Sequence, residues 1–148
     1  MTSTASGDYP HPRGTNVAPP LSFDIVVATV GRTTELDRLF ESLASQSLRR
    51  FRVIVVDQNP DDRLDSVLAR HAEAVPLIRI RSTEGLARAR NAALRIADAD
   101  IVAFADDDCW YPSGLLAQVA DVLEAHPEWA GITGRVVDEH GRPSAASF

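Results

Sequence analysis

Apolar residues in this chain follow two rhythms: short unbroken runs, and stripes that recur every three or four positions. The runs are Phe23–Val30 (FDIVVATV), Arg52–Val56 (RVIVV) and Ile101–Ala105 (IVAFA). Each is rich in β-branched or aromatic residues and stops at a Gly or an Asp, which is the mark of a buried strand. Leu77–Arg81 (LIRIR) alternates apolar with basic residues and reads as an edge or half-exposed strand. The stripes lie between the runs. Leu36, Leu39, Phe40 and Leu43 form one helical face running to about Ser45, with Thr34 and Asp37 spaced as a capping box. Leu64, Val67 and Leu68 mark a short helix to about His71, which itself reads as a surface residue. Leu86–Ala97 is an Ala-rich helix with Leu86, Arg90, Ala93, Leu94 and Ala97 on one side. Ser113 caps a helix to about Ala125, with Leu116, Val119, Ala120 and Leu123 inward. Ile132–Val137, between glycines, reads as a weaker fifth strand, and Trp129 as a packing residue.

Strands alternating with helices at this interval predict βαβ units: an α/β domain over residues 21–138, with a mostly parallel sheet and helices on both faces. Residues 1–20, with four prolines and no apolar period, read as a disordered arm, and residues 139–148 as a frayed end. In parallel sheets ligands bind beyond the carboxyl ends of the strands. Three strands here end in polar signals, at Thr29–Arg32, Asp57–Asn59 and Asp106–Asp108, so all three should meet at one rim.

Composition narrows the chemistry. A net charge of −6 argues against a nucleic-acid binder. All 15 basic residues are Arg, which removes the Lys-dependent P-loop and Schiff-base mechanisms and leaves Arg as the fixed cation for phosphate. The single Cys109 excludes an internal disulfide and a multi-cysteine metal site. No apolar stretch approaches the ~20 residues of a transmembrane helix, and no signal-peptide pattern opens the chain, so a cytoplasmic location is expected. The four histidines are scattered, and neither G-x-S-x-G nor G-x-G-x-x-G occurs.

The richest candidate site is Ile101–Pro112 (IVAFADDDCWYP), an apolar run that delivers three carboxylates. Buried charges need partners, so the strand must bring them to an edge or cleft. If the strand continues, Asp106 and Asp108 share one side and Asp107 turns away. Two converging acids need a shared proton, an Arg or a hard cation between them, and carboxylate oxygens suit Mg²⁺ or Mn²⁺. The competing reading is a solvated acidic turn.

The runs FDIVVATVGR, RVIVVDQNPDD and EGLARARNAALRIADADIVAFADDDCWYP together resemble the nucleotide-sugar-binding half of a family 2, GT-A fold glycosyltransferase, over about residues 22–137. The resemblance implies transfer of a sugar, with inversion, from a nucleotide-diphosphate sugar to an acceptor hydroxyl. It implies nucleotide-sugar contacts at Thr29, Arg32, Asp57, Arg90, Asp106 and Asp107. It also implies a metal, Mn²⁺ or Mg²⁺, at Asp106 and Asp108 of the DXD motif, with Asp108 the first choice. Two departures stand out. The aromatic residue common after the family's first strand is absent from Ala28-Thr29-Val30-Gly31-Arg32. No residue matches the general base, which belongs to an acceptor-binding half that is expected to be missing or supplied by a partner chain. Three readings follow: a metal-assisted sugar transferase, a non-catalytic nucleotide-sugar-binding or assembly module, and, with less support, a metal-dependent phosphoryl-transfer enzyme.

Overall fold

A computed structural model describes residues 21–138 and 140–142. The arm expected over residues 1–20, and the expected end apart from 140–142, lie outside the described residues. Four strands form one parallel sheet: β1 (Phe23–Thr29), β2 (Phe51–Asp57), β3 (Leu77–Arg81) and β4 (Ile101–Ala105), in the order β3-β2-β1-β4. Four helices connect or follow them: α1 (Thr34–Ala44), α2 (Asp65–His71), α3 (Leu86–Leu94) and α4 (Leu115–Ala125). This is the expected α/β architecture.

The unbroken apolar runs have a simple cause. Alternate residues of β1 and β2 point to opposite faces, and both faces are covered. Phe23, Ile25, Val27, Phe51, Val53 and Val55 enter one core with Leu36, Leu39, Phe40 and Leu43 of α1, Val67 of α2, and Leu116 and Ala120 of α4. Val26, Ile54 and Val56 enter a second core against Ala89 and Ala93 of α3. The central Phe40 is fully buried, so Phe40→Ala should cost about 3–5 kcal/mol of stability in a urea titration; a loss under about 1 kcal/mol would contradict this packing.

Asp24 interrupts the β1 run and is fully buried. It accepts from Arg52 Nε and Nη2 at 2.5 and 3.0 Å, and from the backbone N–H of Asp98 and Ala99 at 2.7 and 3.1 Å. Arg52 also pairs with Asp98. Burial pushes the Asp24 carboxyl up, but these donors outweigh it and hold it below its ordinary value. The network lines a hollow of about 310 Å³ at the amino ends of the strands, opposite the polar rim.

Several local expectations change. The capping box does not form: Thr33 is the N-cap of α1, without a side-chain bond. Asp37 instead pairs with Arg70 and with His71 Nε2, at 2.5 and 2.7 Å. Charge-assisted partners on α2 outcompete a backbone N–H. His71 is therefore buried, edge-on to Phe40 with ring centroids 5.4 Å apart, rather than on the surface. Helix α3 ends at Leu94 and its buried positions are Ala89 and Ala93, while Leu86 and Leu94 are exposed. The small alanines let the helix close onto the sheet. Ser113 does not cap α4; its carbonyl accepts from Ser47 N–H. The buried Gln46 supplies the cap from afar, accepting from Leu116 N–H at 3.1 Å and donating to the Pro112 carbonyl at 2.8 Å. The fifth strand is absent among the described residues: Ile132, Val136 and Val137 are exposed, and Val137 makes a single bridge. None of the three belongs to either hydrophobic core. Trp129 is likewise exposed and stacks on His126 at 4.1 Å instead of entering the core.

Candidate functional site

The register puts Thr29 opposite Asp57, and Val27 opposite Ala105. The three polar strand ends therefore lie along one rim, as the alternation of strands and helices predicts. The loop after β1 is pinned from both sides. Gly31, at φ +76, donates its N–H to Asn59 Oδ1 at 2.6 Å. Arg32 Nη1 reaches the other way, donating to Asp107 Oδ1 and lying 2.8 Å from Asp108 Oδ2. The hydrogen bond that Arg32 donates to Asp107 is the main reason that its guanidinium is held above its ordinary value.

Strand alternation does not carry past Ala105. The chain turns, with Cys109 N–H donating to the Asp106 carbonyl at 3.3 Å. Asp107 is consequently not turned away from its neighbour: Asp107 and Asp108 share Arg32. Asp106 points elsewhere, with Oδ1 3.8 Å from Arg90 Nη2. The Arg90 guanidinium also lies over the Phe104 ring, 5.0 Å from its centroid. The side chains of Asp106 and Asp108 are 66% and 46% exposed, whereas that of Asp107 is only 12% exposed. Two acids thus offer oxygens to solvent and one is committed to Arg32.

Asp57 is fully buried. Its Oδ1 accepts from Asn59 N–H and Nδ2 at 2.9 and 2.7 Å. Its Oδ2 accepts from Arg79 Nε and Nη2 at 2.9 and 2.5 Å. Four donors fill the lone-pair sites of a carboxylate. A direct nucleotide contact from Asp57 therefore requires one donor to move. Burial pushes this carboxyl up, and the Asn59 and Arg79 donors bring it below its ordinary value of 3.8. Because the folded value is depressed, the stability it contributes is complete above the unfolded value and is lost as pH falls below it, through the folded value. Asp24 has the same sign. Urea midpoints measured from about pH 6 to about pH 2 should hold steady and then fall only in the most acidic range; a midpoint that rises on acidification would contradict both buried networks.

Thr29 is 1% exposed, and its Oγ1 has no hydrogen-bond partner among the described residues, while its carbonyl accepts from Gln58 N–H. Gln58 Oε1 accepts from Gly85 N–H at 2.7 Å, tying the end of β2 to the start of α3. Gly85 sits at φ +136, which a residue with a Cβ strains to adopt. Arg88 is exposed, and its partners are Thr83 Oγ1 and the Glu84 carbonyl. Trp110 is exposed beneath Arg38, 4.1 Å from the guanidinium, whereas Tyr111 packs on the main core, its phenol pushed up to about 12 by burial and then by Cys109, Asp106 and Asp108. The Cys109 thiol is also pushed up, by burial and by Asp108 and Asp106, which leaves it a poor nucleophile.

The sequence marks Asp57–Asn59 as a polar strand end but assigns no role to Gln58, Asn59 or Arg79. Their signals were present: two amides directly after the Asp of β2, and a basic residue at an alternating position of β3. No three His, Cys, Asp or Glu side chains converge as a ready-made metal cage among the described residues. Nor is any described helix long and apolar enough to cross a membrane.

The profile of glycosyl transferase family 2 matches residues 24–145, and the chain belongs to this family. An uncharacterized glycosyltransferase of Haemophilus influenzae is 32% identical over 103 residues, covering 70% of this chain and 35% of that protein. The crystal structure of Staphylococcus aureus TarS residues 1–349 in complex with UDP-GlcNAc superposes with a TM-score of 0.68 at 25% identity, covering 80% of this chain and 37% of that one. A mannosyltransferase of Pyrobaculum calidifontis, in complex with GDP-Man and Mn²⁺, gives a TM-score of 0.64 at 28% identity, covering 72% and 33%. The fold is thus that of the GT-A glycosyltransferases. The chain spans about a third of the length of the first curated relatives it matches.

Proposed function

We propose that this chain forms the donor-binding part of an inverting, metal-assisted glycosyltransferase, with a nucleotide-diphosphate sugar seated on the rim. The observation that carries the reading is the convergence of strand ends: the Arg32–Asp107–Asp108 cluster and the Arg90–Asp106 pair lie together beyond β1 and β4. The relatives solved with UDP-GlcNAc, and with GDP-Man and Mn²⁺, support it.

The acids fit a hard divalent cation, Mn²⁺ or Mg²⁺. Asp106 and Asp108 present solvent-facing oxygens, and such ions use one or two protein carboxylates together with substrate phosphates rather than an all-protein cage. Asp108 would hold it, and Asp106, which faces Arg90 here, would join by turning away from that pair. When bound, the ion supplies Lewis-acid stabilisation of the charge that grows on the departing diphosphate. Arg32 and Arg90 add fixed positive charge on the two sides of the acid run. Asp107 holds Arg32 in place. Thr29 and Asp57 form the floor, Asp57 through its grip on Asn59 and hence on the loop at Gly31. The acceptor and the general base lie outside this assignment, and a cytoplasmic setting suits a nucleotide-sugar donor.

Calorimetric titration of the chain with UDP- and GDP-sugars, with and without Mn²⁺, tests this reading. At least one donor should bind in a Mn²⁺-dependent manner, and no binding of either would overturn it. Turnover in the same samples separates the transferase from a donor-binding module: binding with neither transfer nor hydrolysis assigns the module.

A further inference from the structure

Arg32 sits on one oxygen, Oδ2, of Asp108, the acid assigned above to the metal. One guanidinium nitrogen, Nη1, contacts both Asp107 Oδ1 and Asp108 Oδ2. The two acids are not equivalent partners. The Asp107 side chain is only 12% exposed and its bond to Arg32 is part-buried, whereas Asp108 is half exposed at 2.8 Å. The backbone that launches Arg32 is fixed by the left-handed Gly31 and its bond to Asn59. Of the two contacts, the one with the more exposed Asp108 is the easier to exchange for another partner.

We infer that Arg32 is the resident counter-ion of Asp108: it neutralises the acid in the free protein, and it yields Asp108 to the divalent cation while staying anchored on Asp107. This rests on the assignment of Asp108 as a metal ligand. The consequence is coupling. A cation arriving alone at Oδ2 must displace Arg32 and then sit beside a guanidinium left with Asp107 as its one acid partner there. A cation arriving with a diphosphate brings the negative charge that the released face of Arg32 can meet. Metal alone therefore binds weakly, and metal and diphosphate strengthen each other, by the same factor in either order of addition.

The test is Mn²⁺ binding to the full chain, read as free Mn²⁺ by electron paramagnetic resonance, with and without UDP and, in parallel, GDP. In the wild type a nucleoside diphosphate should tighten Mn²⁺ binding by about fivefold or more. Arg32→Gln should bind Mn²⁺ alone about fivefold or more tightly than the wild type, and the gain from the diphosphate should shrink by a similar factor. Arg32→Lys keeps the charge but cannot bridge two acids from one planar fork, so it should give an intermediate value; it also serves as the second variant should Arg32→Gln fail to fold by circular dichroism. Equal or weaker Mn²⁺ binding by Arg32→Gln, or by Arg32→Lys if that is the variant that folds, overturns the counter-ion role. Asp108→Asn separates the two levels. If it abolishes Mn²⁺ binding while the Arg32 variants leave it unchanged, the counter-ion role falls and the metal site stands. If it leaves Mn²⁺ binding intact, both fall.

Discussion

Asp108→Ala is expected to weaken Mn²⁺-dependent binding of a nucleoside diphosphate by at least about 100-fold, beyond what is typical for residues that merely support a ligand. The fold should survive. Asp108 is half exposed, lies outside both hydrophobic cores, and loses a solvent-accessible pair with Arg32 and a long contact from the Cys109 thiol, both of small stabilising value. Calorimetry for affinity, together with a urea titration for stability, separates the two effects. Affinity within about threefold of wild type would remove Asp108 from the metal site. A stability loss above about 2 kcal/mol would make the acid structural instead.

Asp57→Ala should do the reverse. Removing one partner of a buried ion pair typically costs about 3–5 kcal/mol. Arg79 is partly exposed and keeps Asp65, so about 2–4 kcal/mol is expected at this site. Asn59 loses its acceptor as well, and with it the Gly31 loop loses its brace. Donor affinity should therefore fall together with stability, and Asp57→Asn should recover part of both by retaining a carbonyl acceptor. A stable Asp57→Ala protein with reduced affinity for one base only would show that Asp57 reads the base directly.

What was legible in the chain were the strands covered on both faces and the strongest helical stripe. Phe23–Thr29, Phe51–Asp57 and Ile101–Ala105 could be read because strands covered on both faces must be apolar throughout, and because each ends where polar residues begin. Their parallel arrangement then brought the three polar ends to one edge without further information. The Leu36–Leu43 face was legible for the same reason.

The details that failed depend on partners distant in sequence. The capping box gave way because Arg70 and His71, more than thirty residues on, offer Asp37 better bonds. The cap of α4 comes from Gln46, seventy positions before Leu116. Asp107 reaches Arg32 only because the chain turns after Ala105, so a period of two could not be extended into the acid run. Arg79 was hidden by its own pattern, since LIRIR says only that alternate residues face a less apolar side, not that a buried acid waits there. Ile132–Val137 has the composition of a strand, but composition does not show whether a layer exists to cover it.

The claim that everything else depends on is spatial: a cation and a diphosphate meet at the carboxyl ends of β1 and β4. Paramagnetic broadening of backbone amide signals by Mn²⁺ in the presence of UDP or GDP measures this directly. The account predicts selective loss of signals from residues 29–32 and 106–108, with those of Ser22, Arg52 and Asp98 at the opposite end of the sheet left sharp. Broadening centred on that opposite end, or spread evenly over the surface, would contradict it.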